Sequence, residues 1–326
     1  MAGDDVRAEQ DGVEFVRITM RRELAPSDLR SILALWRFFR TRRFAFVQTH
    51  TPKASMLALP AARLAGQRTI YTMHGSMWFR GNGRVANLAG WAFERWCCSW
   101  AHLVSMQSAE DTEVLPIVRI CPKRKVRLQG NGIDMDRFAV PVRSADASAE
   151  SGRRVLPVVL NISRLVAEKG CLDFFALAER LAGRGEFVHV GPTESDQKDA
   201  VDPAVVDDLR RRRIVRFVGE LSDVRPELFS ADLFVLPSFR EGIPRACMEA
   251  AACGVAVVAY DVRGVREVVP AGLGLLAPRG DLDGLVAIVE RLLADPQARA
   301  AAARACAEHV RAAFDERSVV DRIPGN

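Results

Sequence analysis

The chain has 326 residues, enough for two domains of ~150 residues each. With 49% hydrophobic and 27% charged side chains it can bury a large core, which excludes general disorder. Its net charge of +5 suits an anionic substrate or a membrane surface and is too small to argue for nucleic acid. Seven cysteines, Cys97 and Cys98 adjacent and no pair spaced as C-x-x-C, fit neither a disulfide framework nor a zinc knuckle. Scattered reduced thiols point to a cytoplasmic protein. Residues 1–11 are polar and acidic, unlike a secretory signal. The longest apolar run, 250–260, is too short to span a bilayer.

Strand-length apolar runs fall at 13–18, 44–48, 69–73, 103–106 and 126–129, with helical patterns at 28–40, 53–65 and 85–97. A stretch rich in Ser and Ala, 143–154, holds no large apolar residue and reads as a linker. A second strand series follows at 155–162, 187–190, 215–218, 233–236, 255–259 and 274–276, with helices at 169–182, 245–252 and 282–293. The tail, 296–322, has an Ala/Arg helical pattern. Alternating strand and helix predicts parallel sheets covered on both faces. Continuous runs such as Val158-Val159-Leu160 fit strands buried on both sides. The expectation is an α/β chain of two Rossmann-like, doubly wound domains, 1–148 and 149–326, facing across a cleft. Ligands in such folds sit beyond the carboxyl ends of the strands.

The strongest chemical signal is PSFREGIPRACMEAAACGVAVVAYDVRG, residues 237–264. Glu241 falls in the turn after a strand, and Glu249 one to two turns into the next helix. Gly242 allows close backbone approach to a ligand. Pro244 suits a first helical turn, whose free N–H groups attract phosphate. Two such carboxylates can accept hydrogen bonds from sugar hydroxyls and a ribose; the plain alternative is a helix-start and a surface carboxylate. Arg164 and Lys169, five residues apart after strand 155–162, can clamp a diphosphate or stand as a strand-end charge and a surface pair.

Glu241 to Glu249 is an E-x7-E motif, and the chain here resembles the retaining glycosyltransferases of family 4, which have the GT-B fold. Four further segments carry the likeness in order: THTPKASMLALPAARLAG (49–66), TIYTMHG (69–75), NGIDMDRF (131–138) and SRLVAEKG (163–170). The likeness runs from about Phe44 onward and looks nearest to bacterial enzymes that build capsule, exopolysaccharide or lipid-linked glycans. It implies a nucleotide-sugar donor, UDP-sugar favoured, a saccharide or lipid-linked acceptor, retention, and no cofactor or required metal. It also implies that the last helix packs back toward the N-terminal domain.

For the site, the resemblance implies that Arg164 and Lys169 hold the diphosphate in place of a metal. Glu241 would contact the donor sugar, and Glu249 the ribose. Gly242, Ile243, Pro244 and Gly191 would line the donor. His74, in MHG after strand 69–73, would face the sugar; read alone it is a strand-end histidine. His50 is expected to be structural. Asp134-x-Asp136 is not read as a metal site, and Gly81-x-Gly83-x-x-Ala86 does not follow a strand as a dinucleotide fingerprint must.

Two stretches can either touch a membrane surface or pack on their own sheet. They are 29–43, with Trp36, Phe38, Phe39 and five arginines, and 78–100, with Trp78, Trp91, Trp96, Arg80 and Arg84. Docking at the inner face of the plasma membrane would help an enzyme whose acceptor is lipid-linked. The family pattern opens with a strand, a glycine-rich turn and a helix; here roughly the first 50 residues of it have no counterpart, which would expose a sheet edge. The first domain is therefore expected to be incomplete at its N-terminus. The alternative reading is a non-catalytic nucleotide-sugar binding or scaffold subunit.

Overall fold

The computed structural model describes residues 9–10, 13–18, 20, 25–78, 82–139, 156–194, 197 and 199–320. The chain forms two compact units, Met1–Gln129 and Gly130–Asn326. The expected linker and the expected boundary at 148/149 lie outside the described residues.

In the first unit a short antiparallel pair, β1 (Glu9–Gln10) and β2 (Val13–Glu14), precedes α1 (Asp28–Thr41). A four-stranded parallel sheet follows in sequential order: β3 (Val47–Thr49), β4 (Thr69–Met73), β5 (Leu103–Met106) and β6 (Val126–Leu128). Its crossovers are α2 (Pro52–Leu64), α3 (Arg84–Trp100) and α4 (Ala109–Ile117). Tyr71, Met73, Val104 and Met106 meet Cys97, Cys98 and Leu115 in one core, while Leu35 and Phe39 of α1 meet Leu57, Ala58 and Ala61 of α2 in another. The strand expected at 44–48 begins only at Val47. Phe44 instead stacks on Phe38 of α1 with ring centroids 5.9 Å apart. Of the run 13–18, only Val13–Glu14 pairs as a strand.

The second unit is a six-stranded parallel sheet in the order β12-β11-β10-β7-β8-β9. Its strands are β7 (Val158–Ile162), β8 (Glu186–Val190), β9 (Val215–Gly219), β10 (Leu233–Leu236), β11 (Ala256–Asp261) and β12 (Leu276–Pro278). The crossovers are α5 (Cys171–Arg180), α6 (Pro203–Arg211), α7 (Arg225–Ser230), α8 (Arg245–Ala252) and α9 (Val265–Val268), and α10 (Leu282–Ala294) follows the last strand. α11 (Pro296–Phe314) packs on α8 and β11 through Ala302, Cys306 and Val310, and α12 (Glu316–Val320) closes the described chain. Val159, Leu160, Leu233, Phe234 and Val235 are all fully buried, as a strand covered on both faces requires.

Two parallel α/β units of this kind make a GT-B-type architecture, as the sequence leads one to expect. The last strand lies at 276–278 rather than 274–276, because Gly272 and Gly274 adopt φ +82° and +61° in a turn before it. Lys169 does not open α5. It ends a short 3-10 turn, Ala167–Lys169, and Gly170 at φ +70° separates that turn from the helix.

Candidate functional site

In the second sheet β8 and β9 lie on one side of β7, and β10 lies on the other. The strand order therefore reverses between β7 and β10, and loops at that switch point are where open α/β sheets bind ligands. Two loops leave the carboxyl ends of these neighbouring strands, 163–170 after β7 and 237–244 after β10.

Hydrogen bonds to a single backbone carbonyl tie the two loops together. Phe239 N donates to Glu168 O at 3.0 Å, and Ser238 Oγ to the same carbonyl at 3.3 Å. Gly170 could carry no side chain here, since a Cβ would lie 1.8 Å from Pro237 O. Lys169 Nζ is thereby set 2.7 Å from Glu241 Oε1, in an ion pair with side chains 21% and 10% exposed. Arg164 points elsewhere: its Nη1 lies 3.9 Å from Glu194 Oε1. Of the four residues assigned to catalysis, the structure thus brings two together directly.

Gly242 lies under a second backbone. Gly264 has φ +78°, and a Cβ there would sit 1.3 Å from Gly242 O. Ile243 is buried beside it. Pro244 is the residue before α8, in extended conformation, rather than in the first turn as expected. No side chain caps this helix start, which leaves its N-terminal dipole to attract an anion. Glu249, in the second turn of α8, lies 3.5 Å from Arg245 Nε. Burial pushes its carboxyl above the ordinary value, against the pull of Arg245 and Arg137. Gly191, at φ +150°, has a packing reason to be glycine, because a Cβ would lie 1.8 Å from Ser163 O. Cys247, fully buried on α8, has its thiol pushed well up by burial first and the Glu241 charge second, so it is no nucleophile.

In the first unit His74 follows β4 and His50 follows β3, at the carboxyl ends of paired strands. His74 Nε2 lies 3.3 Å from His50 Nδ1, so His50, expected to be merely structural, touches the histidine singled out for chemistry. Burial first, then the neighbouring His74, holds His50 below its ordinary pKa.

The loop after His74 is held by two carboxylates that the sequence reading passed over. Glu94 of α3 accepts from Ser76 Oγ at 2.8 Å and from Met77 N, and Asp111 of α4 accepts from Ser76 N at 3.1 Å. Both are 0% exposed. A signal existed for Glu94: it shares a helical face with Cys97 and Cys98, three and four residues on. The i,i+4 partnership of Arg245 and Glu249 was legible in the same way.

Asp134 accepts from the N–H groups of Asp136 and Arg137, both at 3.0 Å, and Asp136 pairs with Arg317. Among the described residues no three His, Cys, Asp or Glu side chains gather as a metal site, and no helix is long and apolar enough to cross a membrane. Of the aromatic stretches, Leu35 and Phe39 pack inward and Trp91 donates to Val118 O at 2.8 Å, while Trp96 stays 46% exposed. Arg80 lies outside the described residues.

Two family descriptions match the chain: "Glycosyl transferase 4-like domain" over residues 1–132 and "Glycosyl transferases group 1" over 156–295. A UDP-Gal:alpha-D-GlcNAc-diphosphoundecaprenol alpha-1,3-galactosyltransferase of Escherichia coli is 25% identical over 86% of this chain and 74% of that protein. An N,N'-diacetylbacillosaminyl-diphospho-undecaprenol alpha-1,3-N-acetylgalactosaminyltransferase of Campylobacter jejuni is 31% identical over 51% of this chain and 43% of its own length. Among solved structures, Anabaena HepE in complex with UDP-glucose superposes with a TM-score of 0.77 at 19% identity, over 91% of this chain and 82% of that one. Sucrose-phosphate synthase of Thermosynechococcus elongatus superposes with 0.79 at 21% identity, over 97% and 83%. At such identities the structures speak for the fold alone. The chain is related to the family 4 sugar transferases and shares their GT-B fold.

Proposed function

We propose that this chain transfers a sugar from a nucleotide diphosphate donor to a hydroxyl of a saccharide or lipid-linked acceptor, with retention at the anomeric carbon. The observation that carries the reading is the Lys169–Glu241 pair, 2.7 Å apart at the switch point of the second sheet. An ammonium has three N–H donors, so a lysine holding one carboxylate keeps two for phosphate oxygens. Lys169 and Arg164 would neutralise the departing diphosphate, a task a divalent metal performs elsewhere. Glu241 would fix the sugar's hydroxyls and Glu249 the ribose, with the N-terminus of α8 and the Gly242–Ile243 backbone turned to phosphate. Gly191 would lie beside the donor as well. UDP is the favoured nucleotide and a hexose or N-acetylhexosamine the favoured sugar, in keeping with the galactosyl- and N-acetylgalactosaminyltransferase relatives. A lipid-linked acceptor would fit the diphosphoundecaprenol acceptors of the same relatives.

Titration calorimetry of the chain with UDP and GDP, followed by assay of UDP release from UDP-sugars with a lipid-linked saccharide acceptor, tests this. UDP is expected to bind saturably. Lys169→Ala should weaken binding by ~1.5–3 kcal/mol, the range for a charged hydrogen bond. Glu241→Gln should spare nucleotide affinity and lower kcat. His74→Ala, if His74 serves the sugar, lowers kcat and leaves UDP affinity as it was. A folded sample that binds neither nucleotide sinks the proposal. Binding without turnover on any donor would leave a nucleotide-sugar binding subunit.

A further inference from the structure

α3 turns residues 90, 94, 97 and 98 into the first unit, all buried. At ~100° per residue the opposite face carries 85, 88, 89, 92, 96 and 99. Those residues are Val85, Leu88, Ala89, Ala92, Trp96 and Ser99, all exposed and all but Ser99 apolar. Val85 is 84% exposed, Leu88 66% and Trp96 46%. A helix on the surface of a soluble protein normally sets charge on that side. Here the one acidic residue of α3, Glu94, is buried against Ser76 and Met77. Arg84 and Arg95 border the apolar face along one flank, both exposed. Arg95 is held over the Trp91 ring at 5.4 Å. Beside the face lies a shallow recess of about 440 Å³ lined by Trp78, Arg84, Asn87, Leu88 and Trp91.

The charge of the unit says what covers this face. Up to Gln129 the chain has 20 basic and 11 acidic residues, a net +9; beyond it there are 26 and 30, a net −4. A unit of +9 repels a second copy of itself and attracts an anionic surface. A long apolar helix face with a tryptophan and flanking arginines is what lies in the boundary between headgroups and acyl chains. α3 is not long and apolar enough to cross a membrane, so it would lie in the surface plane. We infer that the outer face of α3 docks this protein onto an anionic lipid bilayer, with Val85, Leu88 and Trp96 entering the headgroup boundary. Arg84 and Arg95 then pair with lipid phosphates. Nothing in this inference depends on the sugar chemistry.

The test is co-sedimentation of the full chain with phosphatidylcholine vesicles, with and without phosphatidylglycerol. Partition onto the anionic vesicles is expected, falling as salt rises. Val85→Glu with Leu88→Glu should lower it about tenfold or more, with circular dichroism and UDP titration unchanged. Arg84→Glu, a surface change outside the apolar face, should weaken binding to anionic vesicles alone. Equal partition of the double variant, or no partition of folded wild type, overturns the inference. So does a concentration-dependent dimer that the double variant dissociates while vesicles stay unbound, since the face would then meet a second copy.

Discussion

Both units must hold a loop in place beyond the end of a parallel strand, and they do it with different materials. The second unit uses backbone against backbone: Gly170 against Pro237 and Gly264 against Gly242, at distances where a Cβ has no room. The first uses side chains: Glu94 and Asp111, both buried, gather the amides and hydroxyl of Ser76 and Met77 behind His74. A loop built from backbone contacts fails when an atom is added. A loop built on buried carboxylates fails when a charge is taken away, because those carboxylates are tolerable in the interior only while they are hydrogen-bonded.

Adding one methyl group probes this difference most severely. Gly264→Ala combines a left-handed φ with a 1.3 Å approach to Gly242 O. It should cost about 4 kcal/mol and displace Gly242 and Ile243. Gly66→Ala in the first unit has φ +81° but nothing within 4 Å of its Cβ. It should cost about 1 kcal/mol, the left-handed penalty alone. Urea unfolding of both variants decides the matter, and equal losses would break the contrast.

Acid should weaken the second unit through His189. It is 1% exposed, its Nδ1 lies 2.9 Å from Asn161 Oδ1, and its Nε2 is buried without a hydrogen-bond partner among the described residues. Burial pulls its pKa down to about 4. The folded state therefore binds this proton less readily than the unfolded one. The stability it supports is whole above pH 6.5 and is lost as pH falls toward 4, up to about 3 kcal/mol. Urea midpoints across that window should fall steeply in wild type and more gently in His189→Leu.

The corresponding test in the first unit is Glu94→Gln. The amide keeps an acceptor but loses the charge shared by Ser76 Oγ and Met77 N. Two charged hydrogen bonds become neutral ones, at about 1 kcal/mol each, or about 2 kcal/mol in all. If the loop positions His74 for turnover, kcat should fall while UDP affinity holds; loss of UDP affinity instead would contradict that positioning role.

The second unit was the more legible in the sequence, and the reason is physical. Strands buried on both faces, such as Val158-Val159-Leu160, announce themselves as unbroken apolar runs, and motif residues there are held by nearby backbone. Even so, Lys169 and Glu241 are 72 positions apart, and only the order of β7 and β10 puts them in contact. In the first unit the short strand β3 was misplaced because Phe44 serves the α1 cluster instead of the sheet. The short helices α4, α7 and α9 show no apolar period, whereas α6 carries one in Val206 and Leu209 that the sequence reading passed over. Proline in the first turn of α6 and α7 was their readable mark. Glu94 stayed hidden because an acidic residue on a helix is ordinarily assigned to water.

The smallest stability effect belongs to the residue with a large expected effect on binding, and that separation is useful. Glu249 carries its charge in a buried place, so its carboxyl titrates above the ordinary range. A raised pKa means the folded state holds this proton more tightly than the unfolded chain. Its contribution is therefore fully favourable below the unfolded pKa and declines as pH rises through the folded one. Glu249→Gln removes that burden, so it should raise the unfolding midpoint slightly at pH 7.5 and not at pH 4. Arg245, 3.5 Å away and mostly exposed, loses little by the change. The same variant should weaken UDP about tenfold or more, because a ribose hydroxyl would lose a charged acceptor. A binding site that grows more stable as it loses its ligand is the mark of a carboxylate kept for the ligand. A variant that loses stability and keeps UDP would make Glu249 a structural partner of Arg245 instead.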